Sequence, residues 1–235
     1  MTATPSHAKA DTARAEAPAA SAAPMYIALV GVGLACGSLI AGAYEATAPV
    51  IAESRAEALE RAIFEVLPGA TQSATFVSQQ DGTFAPSPAE LDGPRVHAAY
   101  DDHGELLGMA VEASAMGYQD EISLLYGYDL EAQAVVGMVV LDSRETPGLG
   151  DKIDSDPQFR ENFRHLDVRL NDAGDALRHP VEIVAPGKKT APYQLDTITG
   201  ATISSSAVGR ILRDSTALWI ARLSRQRGDF ERGNR

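Results

Sequence analysis

The sequence predicts an α+β protein: a single N-terminal transmembrane helix, followed by a domain with a twisted, mainly antiparallel sheet and flanking helices. Three observations predict it. The run from Met25 to Tyr44 is almost wholly apolar and free of charge. Between Arg95 and Leu141, strand-like segments alternate with turn residues. From Ile203 to Leu223, apolar residues recur at helical spacing.

Residues 1–24 are rich in Ala, Ser, Thr and Pro and lack periodicity, so a disordered tail is expected there. Residues 25–44 follow as the membrane helix, because about 20 helical residues rise roughly 30 Å, the thickness of the hydrocarbon core. Two other readings compete: a signal peptide cleaved near Ala41-Gly42-Ala43, and a lipoprotein attached through Cys36. The long leading tail and long apolar stretch favour the uncleaved anchor. Gly33 also stands where a lipidation box wants leucine. Gly33, Gly37 and Ala41 recur every four residues, a small-residue stripe on which another helix can pack closely. Lys9 and Arg14 precede the span while Arg55 and Arg61 follow it, so charge does not orient it.

Residues 45–69 form a membrane-proximal segment. Pro49 to Leu67 reads as an amphipathic helix with Leu59, Ile63, Val66 and Leu67 on one face, stopped by Pro68-Gly69. The main domain is expected over 70–225. Ala70 to Pro94 is irregular, with one short strand near Ala74 to Ser78. Arg95 to Tyr100 and Glu105 to Ser114 flank Asp101-Asp102-His103-Gly104, a hairpin composition. Ile122 to Asp129 and Ala134 to Leu141 form a second pair, and the apolar run Val135 to Val140 reads as a central strand buried on both faces. Asp156 to Phe163 reads as a short helix and Val181 to Val184 as a strand. The last helix places Val208, Ile211, Leu212, Ser215, Leu218 and Trp219 on its inner face, and 226–235 is left as a C-terminal tail.

Composition removes several functions. The chain has 235 residues and a formal net charge of −12, from 20 basic and 32 acidic side chains, with no basic stripe. Nucleic acid is therefore not an expected partner. One cysteine excludes an internal disulfide and a cysteine-ligated iron–sulfur cluster. The histidines, His7, His97, His103, His165 and His179, are scattered singly, without metal-site spacing, and are expected at the surface or in turns. No metal site and no catalytic residue is assigned. No glycine-rich dinucleotide fingerprint follows a strand, so NAD is not bound by this chain. Redox chemistry here would need a bound organic cofactor.

Two short motifs point to that chemistry. The first is Asp196-Thr197-Ile198-Thr199-Gly200-Ala201-Thr202, followed by Ile203-Ser204-Ser205-Ser206-Ala207-Val208. Gly200 and Ala201 remove side-chain bulk, so the backbone can approach a phosphate. Thr202 supplies a hydroxyl at a helix start, where unpaired N–H groups and the helix dipole favour an anion. The competing reading is an ordinary helix start capped by Thr199 or Thr202. The second motif is Arg144-Glu145-Thr146-Pro147-Gly148-Leu149-Gly150-Asp151-Lys152-Ile153, which alone would read only as a turn.

Together the two runs resemble the D-x-x-[ST]-G-A-T and E-T-P-G-L-G motifs of proteins that hold flavin mononucleotide (FMN) covalently, by a phosphoester to the last threonine. The resemblance implies FMN on Thr202, with Thr199, Gly200 and Ala201 shaping the phosphate loop. It also implies that Glu145, Thr146, Gly148 and Leu149 approach the ring or ribityl chain. Asp196 either forms the turn or serves recognition by the flavin transferase that such proteins require. Lys188 and Lys189 either balance the phosphodiester or form a solvated basic turn.

Pro49 to Ala70 and Gly117 to Leu141 further resemble the G subunit of the Rnf electron-transport complex, although Asp120 stands where that family has glycine. The resemblance runs from roughly Tyr26 to Leu223. It implies an electron-transfer subunit of an ion-translocating oxidoreductase linked to ferredoxin and NAD, in the bacterial inner membrane with its large domain periplasmic. The implied partners are other membrane and iron–sulfur subunits, the flavin transferase and membrane lipid. Two alternatives are the C subunit of the Na⁺-translocating NADH:quinone reductase and a membrane-anchored flavin-binding regulatory module.

Overall fold

The computed structural model describes residues 23–79, 81–86 and 94–232. The tail expected over 1–24, with His7, lies outside the described residues up to residue 22, while Ala23 and Pro24 already belong to the first helix. By internal contacts the chain divides into 1–52 and 53–235. In the first unit, helix α1 (Ala23–Val66) begins with the apolar run, long and apolar enough to cross a membrane. Pro49 lies within the helix, where it offers no N–H to the turn before it. The amphipathic segment expected after the span is the C-terminal continuation of the same helix.

The second unit is built on a seven-stranded antiparallel sheet in the order β2-β1-β3-β4-β5-β6-β7. Its strands are β1 (Gln72–Ser78), β2 (Phe84–Pro86), β3 (Arg95–Tyr100), β4 (Leu106–Met116), β5 (Glu121–Asp129), β6 (Ala134–Asp142) and β7 (Leu166–Asp167). The two expected hairpins are present, the first closed by Asp101, whose side chain accepts from the N–H groups of His103 and Glu105. Alternation puts Val111 of β4 and Leu124, Tyr126 and Tyr128 of β5 on one face. There they meet α4 (Thr202–Arg225) and α5 (Arg227–Arg232) in the main core. The Tyr126 hydroxyl pairs with Ser215 at 2.9 Å, and Tyr100 donates to the Phe230 carbonyl at 2.8 Å, so the buried phenols find partners on the helices.

The opposite face receives the end of α1. Ile63, Val66 and Leu67 are buried against Ala99, Ala110 and Leu125. Each such side chain contributes about 1.5–3 kcal/mol on burial. Close approach is possible because Gly108, Gly127 and Gly137, on three adjacent strands, form a floor without side chains. A Cβ on Gly137 would lie 2.6 Å from Val66 Cα, and one on Gly127 would press on the Val66 carbonyl.

Several expectations need correction. The run Val135 to Val140 is not a central strand: β6 is second from the edge, and β4 lies at the centre of the sheet. Its residues are largely half-buried, with Val135 and Met138 on the α4 side and Val136 and Val139 on the α1 side. Apolar residues on both faces reflect two unequal layers. The short helix expected over Asp156 to Phe163 is present but shorter, as α3 (Pro157–Glu161), capped by Asp156, which accepts from the N–H groups of Gln158 and Phe159; a further helix, α2 (Lys152–Ser155), precedes it. Leu218 is exposed rather than on the inner face of α4. The segment assigned to a C-terminal tail contains α5, fixed by burial of Phe230 against Phe76 and Phe84. His97 is not at the surface: it is 2 % exposed, between Thr75 Oγ1 at 3.0 Å and Glu112 Oε1 at 2.9 Å. Its hydrogen bond holds the Glu112 carboxyl below the usual range.

Gly127→Ala should lower stability by about 1–3 kcal/mol, the scale of overpacking a close-packed interface. Denaturant unfolding of the full chain in detergent, followed by the fluorescence of Trp219, measures it. An unchanged midpoint would mean that the end of α1 is not held against the glycine floor.

Candidate functional site

Both motifs leave regular structure at the same end of the domain. The first follows β9 (Gln194–Asp196), which pairs in parallel with β8 (Glu182–Val184) to make a separate two-stranded sheet. The Val181 to Val184 strand thus exists as β8 outside the main sheet, where it carries the signature. Thr197 donates both its N–H and its hydroxyl to the Val184 carbonyl, at 3.0 Å each. Asp196 Oδ1 accepts the N–H groups of Lys188 and Lys189, at 2.9 and 3.0 Å, while Asn162 hydrogen-bonds both the N–H and the carbonyl of Asp196. Asp196 is a turn-holding residue in this geometry.

After β9 the chain turns through Gly200, whose φ of 81° favours glycine, into α4. The N-cap position belongs to Ala201, which has no side-chain acceptor. Neither Thr199 nor Thr202 caps the helix. Ser205 reaches back instead, accepting from the Ile198 N–H at 3.0 Å and donating to the Ala201 carbonyl at 2.8 Å. Thr202 is the first residue of α4; its side chain is exposed and its hydroxyl donates to the Ile198 carbonyl at 3.3 Å. The first-turn N–H groups of α4 are left with no side-chain cap, a setting that favours an anion.

The second motif follows β6. Thr146 accepts the N–H groups of Leu149 and Gly150 on its carbonyl, and Gly148 turns the loop with a φ of 78°. Glu145 is buried at the root of this loop. Its Oε1 accepts from the N–H groups of Tyr118 at 2.7 Å and Gln119 at 3.1 Å, and its Oε2 accepts from the Ser204 hydroxyl at 2.6 Å. Burial resists ionisation, but the Ser204 hydroxyl and the backbone N–H groups of Gln119, Tyr118 and Asp120 outweigh it and hold the carboxyl below the usual range. Gly117 and Gly150 are packed against this carboxylate; a Cβ on Gly150 would lie 2.8 Å from both Glu145 Cβ and Ser204 Oγ.

Between the two motifs opens a cleft of about 390 Å³, within the range of small-molecule sites. Residues 200–204 form one wall; Tyr118 of the β4–β5 turn, with Glu145, Thr146, Leu149 and Gly150, forms the rest. Tyr118, Leu149 and Ile203 are exposed, large and apolar, as an aromatic ring needs, while Gly150, Gly200 and Ala201 admit close approach. The site fits a flavin phosphate: an exposed hydroxyl, held only by its long bond to the Ile198 carbonyl, at a helix start without a side-chain cap and beside an apolar slot.

The structure brings together Thr202, Gly200, Ala201, Glu145, Thr146 and Leu149. It does not bring Thr199 to the cleft. That residue lines a neighbouring one of about 350 Å³, with Asp156, Phe159 and Asp196. Gly148 supports the turn without lining the cleft. Lys188 and Lys189 belong to the turn held by Asp196, and Lys189 Nζ donates to Asn162 Oδ1 at 3.4 Å. Four lining residues escaped the sequence reading as site residues: Tyr118, Gly150, Ile203 and Ser204. Gly150, Ile203 and Ser204 lie in the quoted motifs and Tyr118 lies in the β4–β5 turn well before them, but no spacing shows that these segments face one another.

Residues 117–217 match the FMN-binding domain family, a stretch that starts at the β4–β5 turn and ends within α4. Fold and cleft therefore define an FMN-binding domain behind a long apolar helix. The G subunit of the ion-translocating oxidoreductase complex of Pseudomonas aeruginosa strain UCBPP-PA14 is 32% identical over 200 residues, covering 84% of this chain and 86% of that one. The protein of the same name from Methanosarcina acetivorans is 31% identical over 185 residues, 77% and 86% of the two chains. The chain belongs to this family, the G subunits of ion-translocating oxidoreductase complexes. Among solved structures, NqrC of Shewanella oneidensis superposes with a TM-score of 0.55 at 17% identity, covering 78% of this chain and 98% of that one. The C subunit of the Na⁺-translocating NADH-quinone reductase from Parabacteroides distasonis reaches 0.57 at 20% identity, covering 73% and 95%. These two similarities establish the fold.

The depressed Glu145 carboxyl gives a pH signature. A group whose folded-state value is lowered stabilises the protein above its unfolded value, about pH 4.3 for glutamate, and that contribution is lost as pH falls through the folded value. The stability gap between wild type and Glu145→Gln should be widest near pH 7 and close on acidification below about pH 4.3. Denaturant titrations at stepped pH test this; a gap independent of pH would show that the charge of Glu145 plays no part.

Proposed function

We propose that this chain carries FMN as a phosphoester on Thr202 and is the electron-transfer subunit of an Rnf-type complex. That complex would link ferredoxin and NAD to ion movement, with residues after Pro49 on the periplasmic side of a bacterial inner membrane. The observation that carries the proposal is the Thr202 hydroxyl, exposed at an uncapped helix start and opening on an apolar cleft. Bound FMN would supply one- and two-electron transfer.

The protein's part is to hold and shield. Thr202 provides the ester oxygen, and the first-turn N–H groups of α4 offset the phosphodiester charge. Tyr118, Leu149 and Ile203 would offer the ring apolar contacts, while Gly200 and Ala201 would let the backbone reach the phosphate. A covalent tether prevents loss of the cofactor outside the cytoplasm, where it could not readily be replaced. The iron–sulfur clusters, NAD site and ion path would belong to partner subunits. The stripe at Gly33, Gly37 and Ala41 would let such a partner helix pack closely, because it carries no bulky side chain. Identity to G-subunit relatives over most of the chain favours this reading over the C subunit of the quinone reductase, with which the likeness is one of fold.

Chain co-produced with a flavin transferase should keep yellow fluorescence after denaturing electrophoresis, and Thr202→Ala should abolish it while the domain stays folded. Retained covalent flavin in that variant, or loss only in Thr199→Ala, would refute the assignment. For topology, protease added to intact spheroplasts should degrade the large domain; its protection would reverse the orientation, and a mature protein beginning near Tyr44 would establish a cleaved signal.

A further inference from the structure

We infer that Glu145 is a positioning residue: by holding Ser204 it presents the Thr202 hydroxyl to modification, and its carboxylate places a fixed negative charge in the wall of the cleft proposed to take the flavin. This rests on the proposed site at Thr202.

Three features of the structure carry it. Ser204 lies two residues beyond Thr202 in the first turn of α4, and its hydroxyl bonds Glu145 Oε2 at 2.6 Å. Glu145 Oε1 holds the Tyr118 and Gln119 N–H groups of the opposing wall. One carboxylate thus joins the signature wall to the wall facing it. A Cβ on Gly117 or Gly150 would press on the carboxylate, so its place is set by packing as well as by donors. Both oxygens are engaged by the protein, two donors on Oε1 and the Ser204 hydroxyl on Oε2, which makes Glu145 a brace in the wall of the cleft.

Two consequences follow. In modification by FAD, Thr202 Oγ1 would lose its proton and form the new O–P bond to the flavin-bearing phosphorus. The P–O–P bond breaks and AMP leaves, with no change of oxidation state. That attack needs the first turn of α4 held in one orientation. Once the flavin is in place, an ionised carboxylate in a partly desolvated wall disfavours the added negative charge of reduction and lowers the midpoint potential.

The test uses the full chain in detergent micelles with a purified flavin transferase and FAD. Incorporation is followed by in-gel flavin fluorescence, and the midpoint potential by reductive titration of labelled protein. Glu145→Gln and Ser204→Ala should each slow incorporation about tenfold, the scale of one charge-assisted hydrogen bond. Glu145→Gln alone should move the midpoint potential to a more positive value, because Ser204→Ala cuts the brace and keeps the charge. A merely structural role would move the potential in neither or both. Wild-type rate and potential in a folded Glu145→Gln protein would overturn the inference. Should that variant fail to fold, Ser204→Ala decides, and wild-type incorporation in it would overturn the proposal. Absence of label on wild type, or label on Thr202→Ala, would refute the Thr202 reading instead.

Discussion

The buried Glu145 carboxylate is the interaction on which the cleft depends. It accepts from the β4–β5 turn, 27 residues before it at Tyr118, and from the first turn of α4, 59 residues after it at Ser204. No cation neutralises it among the described residues; N–H and O–H dipoles take the place of lost water. Such an arrangement is tolerable only when the donors are complete, since an ion out of water with a missing donor costs several kcal/mol. That requirement explains the glycines at 117 and 150 better than turn geometry does. Any side chain there would push the carboxylate from its donors.

The main sheet answers to different demands on its two faces. One face is packed by α4 and α5 with large side chains, and its tyrosines reach hydroxyl or carbonyl partners on the helices. The other is thinned to glycine at 108, 127 and 137 so that the end of α1 can lie against backbone. The cleft opens where β4 and β6 end, whereas the glycine floor crosses those strands nearer their other halves. From Gly108 to Met116, β4 alone extends about 25 Å at strand rise. The sheet is therefore a stiff spacer between the helix end and the cleft, and changes at the floor should reach the cleft only through stability.

The signature loop owes its shape to parts of the chain that lie outside the main sheet. β8 and β9 pair over three residues, Asn162 straps Asp196, and Asp196 fixes the neighbouring basic turn. With Ser205 closing the start of α4, these bonds leave the hydroxyl of Thr202 outside the internal network except for one long bond to Ile198. Asp196 and Ser205 are thereby structural in this geometry, and Thr202 is the hydroxyl left available.

The sequence by itself determined what short-range patterns encode. The apolar run of α1, the two hairpins, the long face of α4 and both motifs are local signals, set by periodicity, turn residues or residue order. Tertiary structure decided everything that needed distant segments to meet. β7, β8 and β9 have two or three residues each, too few for alternation to show, and exist because a partner strand supplies their hydrogen bonds. α5 is fixed by Phe230 entering a core built far upstream. His97 carries no sequence mark of burial, which comes from Thr75 and Glu112 on neighbouring strands. Thr199 and Thr202, three residues apart in one motif, face different clefts because the turn at Gly200 separates them. A hydrogen bond or a packed surface needs two sides, and a linear sequence lists only one at a time.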